Sequence, residues 1–193
     1  MNGKVVGLSG SLSRPSRTGL LVEAAVQRAA ERYSREPLVI ELSMIAGSLG
    51  RAAQGSDLDA TAQAAVEALL DADALVLASP VYKGSYGGLF KHLFDLLDPL
   101  ALVGKPVLLG ATGGGPRHAL VIEHQLRPLF GFFEAQTLAT GIYASDTDFR
   151  DGALVSEALL ERLDRAVGQF APFLDPVAPR AVTLGAGAHA LAV

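Results

Sequence analysis

Residues 5–33 read VVGLSGSLSRPSRTGLLVEAAVQRAAERY, and their order of residue types decides the fold. A short apolar run, Val5 to Leu8, gives way to a loop rich in Ser, Gly, Arg and Pro. From Thr18 to Tyr33 the apolar residues then recur with helical spacing. A run this short and without strict alternation is what a parallel strand needs when helices cover both of its faces. Four further runs bounded by Gly, Pro or Ser predict strands: Leu38 to Leu42, Ala74 to Ala78, Pro106 to Gly110 and Leu138 to Ala144. Between and after them Asp59 to Leu70, Ser85 to Leu97, His118 to Phe133 and Leu154 to Phe170 predict helices.

This β-α rhythm, repeated five times, predicts an α/β protein. Right-handed crossovers wind it into a doubly wound parallel sheet, and five strands fit the flavodoxin-like order 2-1-3-4-5 better than the six-stranded dinucleotide fold. Residues 1–171 are expected to form one domain. The tail 172–193 is rich in Pro, Ala and Gly and cannot continue the last helix. From Gly47 to Asp57 the pattern lapses into small residues, which predicts an exposed, mobile connection. Sheets of this kind bind ligands beyond the carboxyl ends of their strands, which directs attention to the loops after the first, third and fourth strands.

Composition narrows the function classes. Hydrophobic residues make up 50% of the 193 and charged ones 19%, enough for a substantial core and against wholesale disorder. A formal net charge of −4 leaves no basic footprint for nucleic acid or anionic lipid, so small molecules are the expected partners. With no cysteine, thiolate chemistry is excluded and any redox activity needs a bound cofactor. No signal-like or membrane-spanning apolar segment stands out, so a cytoplasmic location is expected, with no membrane partner.

The first loop, Ser9 to Thr18, holds five hydroxyl residues and two arginines in ten positions. Free N–H groups and the positive dipole end at a helix N-terminus attract anions, and Arg14 and Arg17 supply charge for a dianion. The spacing matches neither GxxxxGK[ST] nor GxGxxG, so a terminal phosphomonoester suits it better than a nucleotide triphosphate or dinucleotide bridge. Helix capping alone would need one such residue. The second loop, Ser79-Pro80-Val81-Tyr82-Lys83-Gly84-Ser85-Tyr86-Gly87-Gly88, offers an aromatic ring and bare backbone suited to a planar ligand. Taken alone it also reads as an ordinary strand-to-helix connection. The third, Thr112-Gly113-Gly114-Gly115-Pro116, is again rich in exposed backbone at the same sheet edge.

With these three blocks, GSLSRPSRT (10–18), SPVYKGSYGGLFKHLFD (79–95) and LLGATGGGPRHALVIEHQLRPLF (108–130), the chain resembles the NAD(P)H-dependent FMN reductase family. It is nearest there to reductases paired with alkanesulfonate and methanesulfonate monooxygenases. The resemblance implies FMN, NADPH or NADH as hydride donor, and a flavin-dependent monooxygenase that consumes the reduced flavin. By position it implies that Ser9, Ser11, Arg14, Ser16, Arg17 and Thr18 hold the phosphate. Pro80, Val81, Tyr82 and Lys83 would wall the isoalloxazine, with Thr112, Gly113 and Gly114 at its edge. Where alkanesulfonate-system reductases have a tyrosine after the third loop, this chain aligns His124, which brings the methanesulfonate branch closer. The resembling proteins also assemble as homo-oligomers, dimers or tetramers.

Hydride transfer between two cofactors needs no protein acid or base, so no catalytic side chain is expected. His92, His118, His124 and His189 lack metal-ligand spacing, and no metal is expected. His92 reads as a helix-surface residue, and His118 as either lining the nicotinamide side or facing solvent. Asp95 and Asp98 read as helix-end residues. Two features of the segment 118–133 stand out. Leu120, Ile122, Leu126, Leu129, Phe130 and Phe133 exceed one core-facing stripe, which predicts a subunit contact. Pro128 cannot donate to the carbonyl of His124, so the helix must kink, break or widen there, and the resembling reductases carry a π-turn at this place. His124 is thus a candidate for a position that tunes flavin release. Competing functions on the same fold are a quinone or azo reductase with retained FMN, a flavodoxin-type electron carrier and a phosphate-binding structural module.

Overall fold

The computed structural model describes residues 3–175. Its elements run β1 (Lys4–Ser9), α1 (Arg17–Tyr33), β2 (Glu36–Glu41), α2 (Leu42–Leu49), α3 (Ala60–Asp71), β3 (Ala74–Pro80), α4 (Gly88–Asp95) and β4 (Pro106–Gly113). There follow a π-helical turn (Ile122–Leu126), α5 (Arg127–Phe132), β5 (Gln136–Thr137), β6 (Ile142–Ser145), β7 (Phe149–Arg150), β8 (Ala153–Leu154), α6 (Glu157–Gly168) and α7 (Ala171–Leu174). The main sheet is parallel in the order β2-β1-β3-β4-β5, with β6 also pairing β4, and the flavodoxin-like order expected from the sequence is found.

Residues of the central strands alternate between two buried layers. Val6, Leu8, Leu75, Leu77, Val107 and Leu109 pack with Leu49, Phe90, Phe94 and Phe130 from the helices between β2 and β5. Val5, Ala74, Val76, Ala78 and Leu108 pack with Val22, Val26, Leu163 and Val167 of α1 and α6. Both faces of each strand are therefore apolar, which is why the runs show no alternation. No helix among the described residues is long and apolar enough to cross a membrane.

Several expectations need correction. Helix α2 begins directly after β2, because Leu42, Ile45 and Leu49 recur at helical spacing and are all buried. The connection 47–57 is correspondingly tied down. Ser48, Leu49 and Ala52 are buried, the Asp57 carboxylate accepts the N–H groups of Ala53 and Gln54, and His92 Nε2 meets the Ala52 carbonyl at 2.9 Å. His92 is thus a half-buried tether between α4 and this connection, not a free surface residue.

The fifth strand is split. Between β5 and β6 the backbone leaves the ladder, and distant side chains satisfy it. Arg127 donates to the carbonyls of Leu138 and Ala139, Arg162 donates to that of Gly141, and Gln169 accepts the Thr140 N–H. Gly141 is needed for close approach, since a Cβ there would lie 2.6 Å from Ile122 Cγ2.

The helices predicted at 85–97 and 154–170 are shorter. A tight turn occupies the start of the first, and the hairpin β7-β8 precedes the second. The segment 118–133 is no single helix, and most of its apolar residues pack in the protein's own core. Ile122, Leu126, Phe130 and Phe133 are buried, Leu129 is half-buried, and Leu120 is 64% exposed. Of the tail, residues 172–175 continue into the short α7, with Leu174 buried, and the rest lies outside the described residues, as does His189.

Candidate functional site

Beyond the carboxyl ends of β1, β3, β4 and β6 lies a cavity of about 540 Å³, within the size range of cofactor sites. Ten predicted residues line it: Ser11, Ser16, Arg17, Thr18, Pro80, Val81, Tyr82, Thr112, Gly113 and Gly114. Ser9, Arg14 and Lys83 do not, each for a visible reason.

Ser9 ends β1 behind the loop, fully buried, and its hydroxyl has no partner among the described residues. Arg14 turns away from the cavity, its Nε 2.9 Å from Ser43 Oγ and 2.8 Å from Glu41 Oε2. Ser16 is the N-cap of α1, its Oγ accepting the Gly19 N–H at 3.1 Å. That cap leaves the N–H groups of the first turn, at Arg17 and Thr18, without intrahelical acceptors beside the cavity. Thr18 Oγ1 meets Thr112 Oγ1 at 2.7 Å in a buried contact that ties the first loop to the third. The Arg17 guanidinium lines the cavity and pairs with Asp146.

The second loop is a tight turn. Tyr82 and Ser85 exchange backbone hydrogen bonds around Lys83 and Gly84, whose φ angles are 51° and 85°. Positive φ at both central residues is the hairpin geometry that favours glycine, and it projects Lys83 away on the exposed tip. The Val81 N–H donates to the Thr112 carbonyl, so Pro80, Val81 and Tyr82 stand beside the end of β4 as one wall. The third loop is held by Tyr143, whose hydroxyl donates to the Gly115 carbonyl at 2.6 Å. Burial first, and then Asp146 and Asp148, push the Tyr143 pKa up, which keeps that donor protonated.

Sequence reasoning missed a fourth wall. Ala144, Asp146, Phe149, Arg150, Asp151 and Gly152, from the end of β6 and the hairpin β7-β8, form it, and Ser13, Pro15 and Leu20 complete the lining. The signal was present in Asp151-Gly152 between Phe149-Arg150 and Ala153-Leu154, a short hairpin pattern hidden inside an apparent approach to a helix. No histidine lines the cavity among the described residues. His118 is half-buried in a 3₁₀ turn, and His124 is exposed at the middle of the π-turn.

The donor set fits a flavin mononucleotide. Hydroxyls, first-turn N–H groups and the Arg17 guanidinium suit a phosphomonoester. The Pro80-Val81-Tyr82 wall and the bare backbone of Gly113 and Gly114 suit a flat ring.

Comparisons with known proteins agree. Residues 3–150 match the family model described as NADPH-dependent FMN reductase. The chain is 50% identical over 169 residues to an NADH-dependent FMN reductase SfnF of Pseudomonas fluorescens, covering 88% of this chain and 90% of that one. It is also 50% identical to an FMN reductase (NADPH) of Pseudomonas aeruginosa, covering 88% and 91%. Among solved structures, an NADH:FMN oxidoreductase (EmoB, apo form) superposes with a TM-score of 0.80 at 31% identity, covering 90% of each chain.

Proposed function

The chain belongs to the NADPH-dependent FMN reductase family, and we propose that its cavity is where FMN is held for reduction before passing to a flavin-dependent monooxygenase. As an NAD(P)H:FMN oxidoreductase it uses FMN with NADH or NADPH. Flavin supplies the hydride-accepting chemistry, so the protein's part is to bind, orient and exclude. Ser11, Ser16, Thr18 and Arg17 bind the phosphate. Pro80, Val81 and Tyr82 form one wall for the ring, and Thr112, Gly113 and Gly114 its edge. Arg14 and Lys83 stand outside the lining, and His124 belongs to the turn that governs release.

One observation carries this reading. A charged, hydroxyl-rich pole and a flat apolar wall share a single cavity and are tied by the Thr18–Thr112 contact. The partner is proposed from the resemblance to two-component systems. A homo-oligomer is proposed as well, and its support is the exposure of Leu100, Leu120 and Phe132, 64 to 67% each.

The test compares FMN with riboflavin. Arg17→Ala should weaken FMN binding about tenfold, the worth of a charge-assisted hydrogen bond, and leave riboflavin unchanged. Equal losses for both flavins would refute the assignment of the phosphate to this pole. Turnover with NADH and NADPH in the same assay reads the preferred donor.

A further inference from the structure

We propose that Asp146 is a specificity-determining residue that keeps FMN exchangeable by competing with its phosphate for Arg17; this rests on the assignment of the phosphate pole above. Arg17 opens α1 and Asp146 follows β6, so the two side chains reach the cavity from opposite walls, 129 residues apart, and meet at 2.5 Å. Each is about half exposed, 54% and 51%. Asp146 is not needed to build its own turn. Asp148 does that, its carboxylate accepting the Ser145 N–H at 2.7 Å and the Ser145 hydroxyl at 2.8 Å. Arg17 is the one hydrogen-bond or ion-pair partner of the Asp146 carboxylate among the described residues.

A site built to retain a dianion would leave its guanidinium free or aim it with neutral donors. Here a carboxylate stands on the wall of the anion pole and holds the cation. The loop's other arginine is treated alike, with Arg14 held by Glu41. An arriving phosphate must displace the Asp146 carboxylate, and once bound it stays beside a like charge. Both effects lower affinity for the phosphate and leave affinity for the ring untouched. That is a design for a flavin that comes and goes.

The experiment titrates wild type, Asp146→Asn, Arg17→Ala and the double variant with FMN and with riboflavin, following flavin fluorescence, and measures FMN release by stopped flow. Asparagine keeps the size and the acceptor oxygen and removes the charge. It should tighten FMN by about two- to fivefold, the range set by exposed ion pairs, with release slowed by a similar factor and riboflavin unchanged. The gain should shrink at high salt and, when Arg17 is absent, fall to the smaller part that relief of like-charge repulsion alone supplies. Asp146→Ala, which also removes the acceptor, should tighten FMN at least as much. Unchanged FMN affinity, or equal tightening of both flavins, overturns the role of Asp146 while leaving the phosphate pole standing. If wild type itself does not prefer FMN over riboflavin, and Arg17→Ala changes nothing, the phosphate assignment fails and this proposal with it.

Discussion

Replacing Gly113 by alanine is a sharp test of how the third loop is held. Gly113 ends β4 without a positive φ, so alanine meets no backbone conflict, but its Cβ would lie 2.4 Å from Tyr143 Oη. Carbon and oxygen ordinarily approach to about 3.3–3.6 Å, so the hydroxyl must move by about 1 Å. That shift stretches its 2.6 Å bond to the Gly115 carbonyl beyond hydrogen-bond reach. A lost hydrogen bond costs about 1 kcal/mol, and forcing the ring off its rotamer about as much again. Gly113→Ala should therefore cost about 2 kcal/mol and lower Tm by roughly 4–8 °C for a domain of this size. Tyr143→Phe alone should cost about 1 kcal/mol, the bond without the displacement. In the double variant the clashing atom is gone, and the new methyl meets Tyr143 Cζ at 3.4 Å, an ordinary contact. The double variant should thus melt where Tyr143→Phe melts. Thermal denaturation of all four proteins closes the cycle, and additive losses would refute the proposed clash. FMN titration of the same set should follow the same pattern, because the carbonyl released belongs to the loop at the cavity edge.

Three further outcomes are expected. Thr112→Val strands the buried Thr18 hydroxyl and should cost about 1–2 kcal/mol in thermal denaturation, with part of the loss recovered when Thr18 is also changed to Val. Glu123 is held below its ordinary value of 4.5 first by the hydrogen bonds from Arg127 and then, against burial, by that residue's charge. A carboxylate with a lowered folded pKa adds stability above its unfolded value and loses it as pH falls through the folded one. The stability gap between wild type and Glu123→Gln should therefore be constant above about pH 5.5 and close below about pH 4.5, staying within about 1 kcal/mol because the side chain is 46% exposed. Deleting His124 should restore regular helix after Val121 and slow FMN release in stopped flow; a folded variant that releases flavin at the wild-type rate would count against a role for the π-turn.

The fold was legible where its cause is local. Strands β1, β3 and β4 are buried on both faces, so each announces itself as an apolar run, and the loops that follow them announce themselves by Ser, Gly and Pro. Helix α2 escaped because no turn residue separates it from β2; the sequence LVIELSMIAGSL changes period from strand to helix between Glu41 and Leu42 with no break. The split of the fifth strand escaped for the opposite reason. Its interruption depends on Arg127, Arg162 and Gln169, whose side chains replace ladder bonds from as far as 29 residues away. At the site, Arg14 and Arg17 look equivalent in sequence. Only the positions of Glu41 and Asp146 separate the one that turns outward from the one that lines the cavity.

The segment around Pro128 shows where local reading ends and tertiary structure takes over. A missing N–H is a local property, so the conflict with the carbonyl of His124 was visible in the sequence. How the chain resolves it was not. The structure widens the helix over Ile122–Leu126, with the Arg127 N–H donating to the Ile122 carbonyl five residues back. Packing makes this preferable to a simple kink: Ile122, Leu126, Phe130 and Phe133 are all buried in one cluster, so the helix must keep them on one face through the proline. Arg127 fixes the far side, bound at once to Glu123, Thr137 and the Leu138 carbonyl. The extra residue accommodated in the widened turn leaves Glu123, His124 and Gln125 exposed in succession. Gln125 then reaches Ser85 at 3.1 Å, in the same tight turn that carries Tyr82 to the cavity mouth. The widened turn therefore joins the segment around Pro128 to the Tyr82 wall of the cavity, through one hydrogen bond that a regular helix at the same place would have to aim differently.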